Sequence, residues 1–140
     1  DSVDRLLVDR ESKLVKLFNP PFAKSKNNPG YIMSYVSGVR ENGGQYTHAA
    51  IWYALALIKD GQFERGYEIL SLINPVNRTA SIDEVKKYRV EPYVLAGDVY
   101  SSPGHEGMGG WTHYTGAAGW YFRVIIEELS CFIIAISLRA

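Results

Sequence analysis

The chain has 140 residues, with 15 basic and 15 acidic side chains and a formal charge of zero. That length accommodates one domain with a real core but not a large enzyme architecture. The balanced charge, with no sustained basic stripe, argues against a nucleic-acid partner, and the single Cys131 rules out an internal disulfide and suits a reducing compartment.

Residues 1–8 read as the end of a helix, with Val3, Leu6 and Leu7 on one face, and no secretory signal pattern opens the chain. Leu14 to Phe18 alternates apolar and charged residues as a short strand does, and Asn19-Pro20-Pro21 stops it. Residues 23–30 are polar and turn-rich, which predicts an exposed loop.

Thr47 to Lys59 is the clearest helix, apolar nearly all round, with Thr47 as its expected N-cap and Asp60-Gly61 at its end. Phe63 to Ile73 follows at helical spacing and stops at Asn74-Pro75. So short a link predicts an antiparallel helical hairpin. Ser81-Ile82-Asp83-Glu84 has the form of a capping box and predicts a further short helix. Residues 90–99 fit either a helix, with Pro92 in its first turn, or extended chain. Residues 101–110 form a loop with four glycines, and a final helix runs from about Tyr114 through at least Leu129. The apolar run Leu129 to Leu138 is too short to cross a bilayer core of about 30 Å. The fold class is therefore all-α, built of helical hairpins, with a short strand segment near the N-terminus.

Two glycine-rich, aromatic, histidine-bearing segments each open an apolar helix: Arg40-Glu41-Asn42-Gly43-Gly44-Gln45-Tyr46-Thr47-His48 and Gly109-Gly110-Trp111-Thr112-His113-Tyr114-Thr115-Gly116. Glycines allow close backbone approach, and a helix start offers free N–H groups to an anion. Aromatic rings among polar groups suit sugars, which have apolar C–H faces and many hydroxyls. Glu41 and His48 flank a Gly-Gly turn and either converge on one ligand or serve as a surface partner of Arg40 and a helix cap. Thr115 and Gly116 either face an oxyanion or cap the helix and permit close packing. Trp111, Tyr114 and Trp120 stack on sugar or fill core, the latter being the expectation for Trp120. Glu91 and Asp98 are carboxylates in apolar surroundings, and His105, Glu106 and His113 lack the helical spacing of a zinc site, so no metal is expected.

The first of these segments together with Ala49-Ala50, Tyr88-Arg89-Val90-Glu91-Pro92-Tyr93, and Gly110-Trp111-Thr112 followed by Tyr114-Thr115-Gly116-Ala117-Ala118-Gly119-Trp120 resemble glycoside hydrolase family 94. Leu17-Phe18-Asn19-Pro20-Pro21-Phe22 and Ile73-Asn74-Pro75-Val76-Asn77 resemble its cyclic β-1,2-glucan synthetase branch in particular. The resemblance covers roughly residues 1–128. It implies an (α/α)6 toroid that carries out inverting phosphorolysis of β-glucosidic bonds, with phosphate as co-substrate and no other cofactor. It also implies phosphate binding by His48, Thr115 and Gly116, and a sugar-binding wall with Glu41; Tyr46 and Trp111 are the aromatic candidates for that wall. The family's general acid, an aspartate in a Gly-Asp-Trp-Asn-Asp-type motif, has no counterpart here, so residues 1–140 are expected to form one incomplete domain without its own catalytic acid. The expected partners are a β-glucan oligosaccharide, phosphate, the remainder of a parent polypeptide and, through an apolar flank, a second copy. The expected location is the cytoplasmic side, in a parent resident at a bacterial inner membrane. Two other functions fit the residues: a non-catalytic carbohydrate-binding or assembly fragment, and an all-α hydrolase pairing Glu41 with Asp98 or Glu91.

Overall fold

The computed structural model describes residues 2–113 and 115–130. Its elements in order are helix α1 (Ser2–Leu7), strands β1 (Val8–Asp9) and β2 (Leu14–Val15), strand β3 (Gln45–Tyr46), and helices α2 (Thr47–Lys59), α3 (Phe63–Ile73) and α4 (Ile82–Tyr88). Strand β4 (Asp98–Val99) and helix α5 (Thr115–Arg123) follow, and Val124–Leu129 continues α5 as a π-helical turn. The fold is mainly α, as expected.

The hairpin of α2 and α3 is the centre of the core. Gly61, at φ +79°, makes the turn between them, and Gly66 lets α3 lie directly on Ala54 and Ile58 of α2. Ile51, Ala54, Ile58, Ile69, Leu70 and Ile73 are all nearly inaccessible, so the two apolar stripes face one another. Helix α5 lies against the same hairpin through Ala117, Trp120, Tyr121 and Val124, and the Tyr121 hydroxyl donates to the Leu70 carbonyl at 3.0 Å. At its far end, Lys59 pairs with Glu128 at 2.7 Å.

Several expectations are corrected. Thr47 is the first helical residue, not the cap; extended Tyr46 stands before it, and the buried Thr47 hydroxyl accepts from the Gln45 amide at 3.0 Å. The strand expected over Leu14 to Phe18 is only the pair Leu14–Val15, antiparallel to Val8–Asp9. Its continuation instead joins the first glycine-rich segment, with Leu17 N–H donating to the Gly44 carbonyl at 3.0 Å. Residues 90–97 are not helical, because Arg89 adopts a left-handed conformation (φ 60°) that closes α4. The Ser81 cap does form, its hydroxyl accepting from the Glu84 amide. Tyr114 and residues 131–140, including Cys131 and most of the apolar run, lie outside the described residues. Among the described residues no helix is long and apolar enough to cross a membrane.

Candidate functional site

Strands β3 and β4 bring the two glycine-rich segments together. Gln45 opposes Val99 and Tyr46 opposes Asp98 in antiparallel register, and the Thr47 amide donates to the Gly97 carbonyl at 3.0 Å. The second segment joins β4 directly, with Val99 bridged to Gly109 and Gly110 N–H donating to the Asp98 carbonyl at 2.9 Å. The loop after β4 also meets the loop before β3: Ser101 N–H donates to the Gly38 carbonyl at 2.8 Å and the Ser101 hydroxyl donates to the Gly43 carbonyl at 2.7 Å. Gly44 sits where any Cβ would lie 2.9 Å from both the Arg40 nitrogen and the Gly38 oxygen, so only glycine closes this loop without displacing backbone. Buried Asn42 completes it, accepting from Phe22 N–H and donating to the Tyr35 carbonyl, both at 2.7 Å.

One half of the site is built around Asp98. This side chain is 2 % exposed; its Oδ1 accepts the Trp111 amide at 2.8 Å, while Oδ2 is buried without a hydrogen-bond partner. Burial pushes its pKa up, against the Trp111 amide and the nearby Arg40 charge, which favour the carboxylate. Arg40, in the left-handed region at φ 48°, lays its guanidinium over the Trp111 ring at 3.7 Å and reaches the Tyr35 hydroxyl at 3.2 Å. Glu41 faces the same space: its negative charge raises the Tyr31 phenol and contributes to raising Asp98, and its Oε2 is buried with no partner. The half-exposed Trp111 ring supplies an apolar wall. On the other side of the Gly43 turn lies a cavity of about 660 Å³ lined in part by Phe18, Pro21 and Phe22.

The other half is built on the starts of α2 and α5. A Cβ placed on Gly116 would lie 3.7 Å from His48 Nδ1, so that nitrogen faces the bare backbone of the first turn of α5. The imidazole is held by aromatic neighbours: parallel to Tyr46 at 6.5 Å, edge-on to Trp52 at 5.0 Å, and tilted on Trp120 at 6.1 Å. Its Nε2 is buried with no hydrogen-bond partner, and Thr115 opens the helix opposite. A donor-capable ring beside free helix amides is a chemical arrangement for an oxyanion.

His48 and Gly116 are thus brought together, as are Glu41, Asp98 and Trp111, and Tyr46 links the groups by stacking on His48 while pairing with Asp98. No described contact joins Glu41 directly to His48. The Arg40 guanidinium covers the Trp111 ring. Trp120 is only partly buried, between the core and the His48 ring. Glu91 sits in the turn after α4 near Tyr88 and does not contribute to the Asp98 environment. His105 and Glu106 line a separate surface hollow with Lys86, and no cluster able to hold a metal occurs among the described residues. Arg40 is a member of this arrangement that sequence reasoning misses, and its adjacency to Glu41 is the available signal.

Residues 1–130 match the profile of the Glycosyl hydrolase 94 superfamily, catalytic domain. The chain belongs to this family. It is 48 % identical over 129 residues to the cyclic beta-(1,2)-glucan synthase NdvB of Rhizobium meliloti (strain 1021), covering 92 % of this chain and 5 % of that protein. It is 30 % identical over 108 residues to an N,N'-diacetylchitobiose phosphorylase of Vibrio proteolyticus, covering 75 % and 13 %. With a cellobionic acid phosphorylase of Neurospora crassa it shares 25 % over 138 residues, covering 92 % and 17 %. This family 94 chain therefore spans a small fraction of the length of the curated relatives it matches.

Proposed function

We propose that this chain supplies the phosphate-binding and part of the sugar-binding wall of a family 94 domain that performs inverting phosphorolysis of β-glucosidic bonds. The single observation that carries the reading is His48 Nδ1 facing the Gly116 backbone at the start of α5, with no methyl group between them. In this reading one phosphate oxygen bridges the imidazole and the amides at Thr115 and Gly116. A sugar ring lies along Trp111 and Tyr46, with Glu41 accepting from its hydroxyls. Arg40, stacked on Trp111, fixes the wall on which that ring rests.

Phosphate is itself the nucleophile, so the second carboxylate of an inverting hydrolase is not needed. An oxygen of phosphate bonds to the anomeric carbon as the glycosidic C–O bond breaks on the opposite face. The leaving oxygen takes a proton from a carboxylic acid in another part of the parent polypeptide. The products are a sugar 1-phosphate and a shortened β-glucan. Residues 1–140 act as one incomplete domain, and exposed Trp52, Phe122 and Ile126 on α2 and its neighbour form the apolar flank that the remainder of the parent covers. The isolated chain then shows little phosphorolysis.

His48→Gln in the full-length protein tests this. A hydrogen bond to a charged group is worth about 1.5–3 kcal/mol, so the KM for phosphate should rise about 10- to 100-fold while the KM for glucan changes little. An unchanged phosphate KM refutes the assignment.

A further inference from the structure

Arg78 lies far along the chain from either half of the site and is among the most deeply buried cations of the molecule. It is 4 % exposed, yet its Nε and Nη2 have no hydrogen-bond partner. These two nitrogens form one edge of the guanidinium, the fork that takes two oxygens of a carboxylate or phosphate side by side. A guanidinium does not escape burial by losing its proton at neutral pH, so an orphaned one calls for a counter-anion. Burial draws the Arg78 pKa down to about 10, and Tyr88, whose ring lies 5.7 Å from the guanidinium carbon, is the neighbour that offsets this; no carboxylate does so.

Arg78 lines a cavity of about 130 Å³ together with Lys13, Glu84, Lys87, Tyr88 and Glu11. That space is well above the roughly 15 Å³ a single water needs. The carboxylates present do not neutralise Arg78. Glu84 is engaged by Lys13, which also donates to the Asn77 carbonyl at 3.0 Å, and by the Ser81 cap. Lys87 lays its stem over Gly107 and makes no described ion pair. The walls thus carry three cations against two carboxylates, and the buried cation among them is unpaired at Nε and Nη2.

We propose that this cavity is a binding site for a small oxyanion, phosphate, sulfate or carboxylate, drawn in by the unpaired Arg78 guanidinium and held by Lys87. The site is separate from the one at His48. Its floor, Tyr88, donates its hydroxyl to the Val94 carbonyl at 2.9 Å and accepts the Ala96 amide at 3.1 Å, so a bound anion steadies the segment that leads into β4.

The test is equilibrium dialysis of radiolabelled inorganic phosphate with the full-length protein, alongside Arg78→Gln, Arg78→Lys and His48→Gln variants. Each arginine variant should lose one class of bound phosphate, with affinity there falling at least tenfold, and saturating acetate should displace the same class from the unsubstituted protein. His48→Gln should leave that class intact, so failure at His48 and failure at Arg78 give different patterns. Unchanged phosphate stoichiometry in both arginine variants overturns the proposal. Should both fail to fold, crystals of the unsubstituted protein in tungstate decide. A peak in the cavity beside Arg78, displaced by millimolar phosphate, supports the site. A peak that phosphate does not displace is an adventitious ion only and overturns it, as does a side-chain carboxylate of the polypeptide paired with Arg78.

Discussion

Substituting Gly116 with alanine separates a ligand site from a packing contact. An alanine Cβ there would meet nothing closer than His48 Nδ1, at 3.7 Å, which is ordinary van der Waals contact. No side chain or backbone must move, and Gly116 is solvent-exposed in α5. Alanine is favoured over glycine by up to about 1 kcal/mol inside a helix, and by less in the first turn, so stability should hold or rise slightly. The same methyl fills the gap through which an oxyanion would reach both Nδ1 and the helix amides at about 2.7–3.0 Å. Losing one hydrogen bond to a charged ligand is worth about 1.5–3 kcal/mol, or roughly a 10- to 100-fold rise in the phosphate KM. The assay is phosphorolysis by the full-length protein at varied phosphate, with a thermal melt of the same sample. A fall in melting temperature with unchanged phosphate KM would mean that Gly116 exists for packing, and would refute the reasoning.

Gly66→Ala should behave in the opposite way. Its Cβ would fall 2.5 Å from Ile58 Cγ1 and 3.1 Å from the Ala54 carbonyl oxygen, so overpacking of about 1–3 kcal/mol outweighs the gain of about 1 kcal/mol in helix propensity. Denaturant melts should show net destabilisation, relieved in an Ile58→Ala background; a more stable single variant would contradict the close packing of α2 and α3. Asp98→Asn tests the buried carboxylate. Because burial raises its pKa above the ordinary 3.8, the folded state binds its proton more tightly than the unfolded chain does. The carboxyl's contribution to stability is full below that value and is lost as pH rises through the raised folded pKa. The difference in stability between the native protein and Asp98→Asn should therefore fall across that window and stay flat above it. A difference independent of pH would show that Asp98 is not strained by burial.

The helices were legible because their signals are local. The apolar run and Asp60-Gly61 fixed α2, and Asn74-Pro75 fixed the end of α3. The cap was misplaced because Thr47 looks like a cap by residue type, while its hydroxyl is taken by Gln45 across a buried turn. Strands β3 and β4 escaped for a different reason. Two-residue strands carry no periodicity, and their pairing partner lies about fifty residues away. The sequence placed His48 and Gly116 at two helix starts, but their mutual approach follows from how α5 docks on the hairpin. Arg78 gave no signal at all: an orphaned guanidinium is visible only when every neighbouring oxygen has a position.

The short ladder of Gln45 with Val99 and Tyr46 with Asp98 has a mechanical consequence. Tyr46 sits one residue from the start of α2, and Asp98 fastens the Trp111 amide, so the imidazole and the aromatic wall hang from a single yoke. Pressure on either arm is felt by the other without any long-range rearrangement. On the proposed function, reshaping that yoke to tighten the grip on phosphate would also shift the wall offered to the sugar.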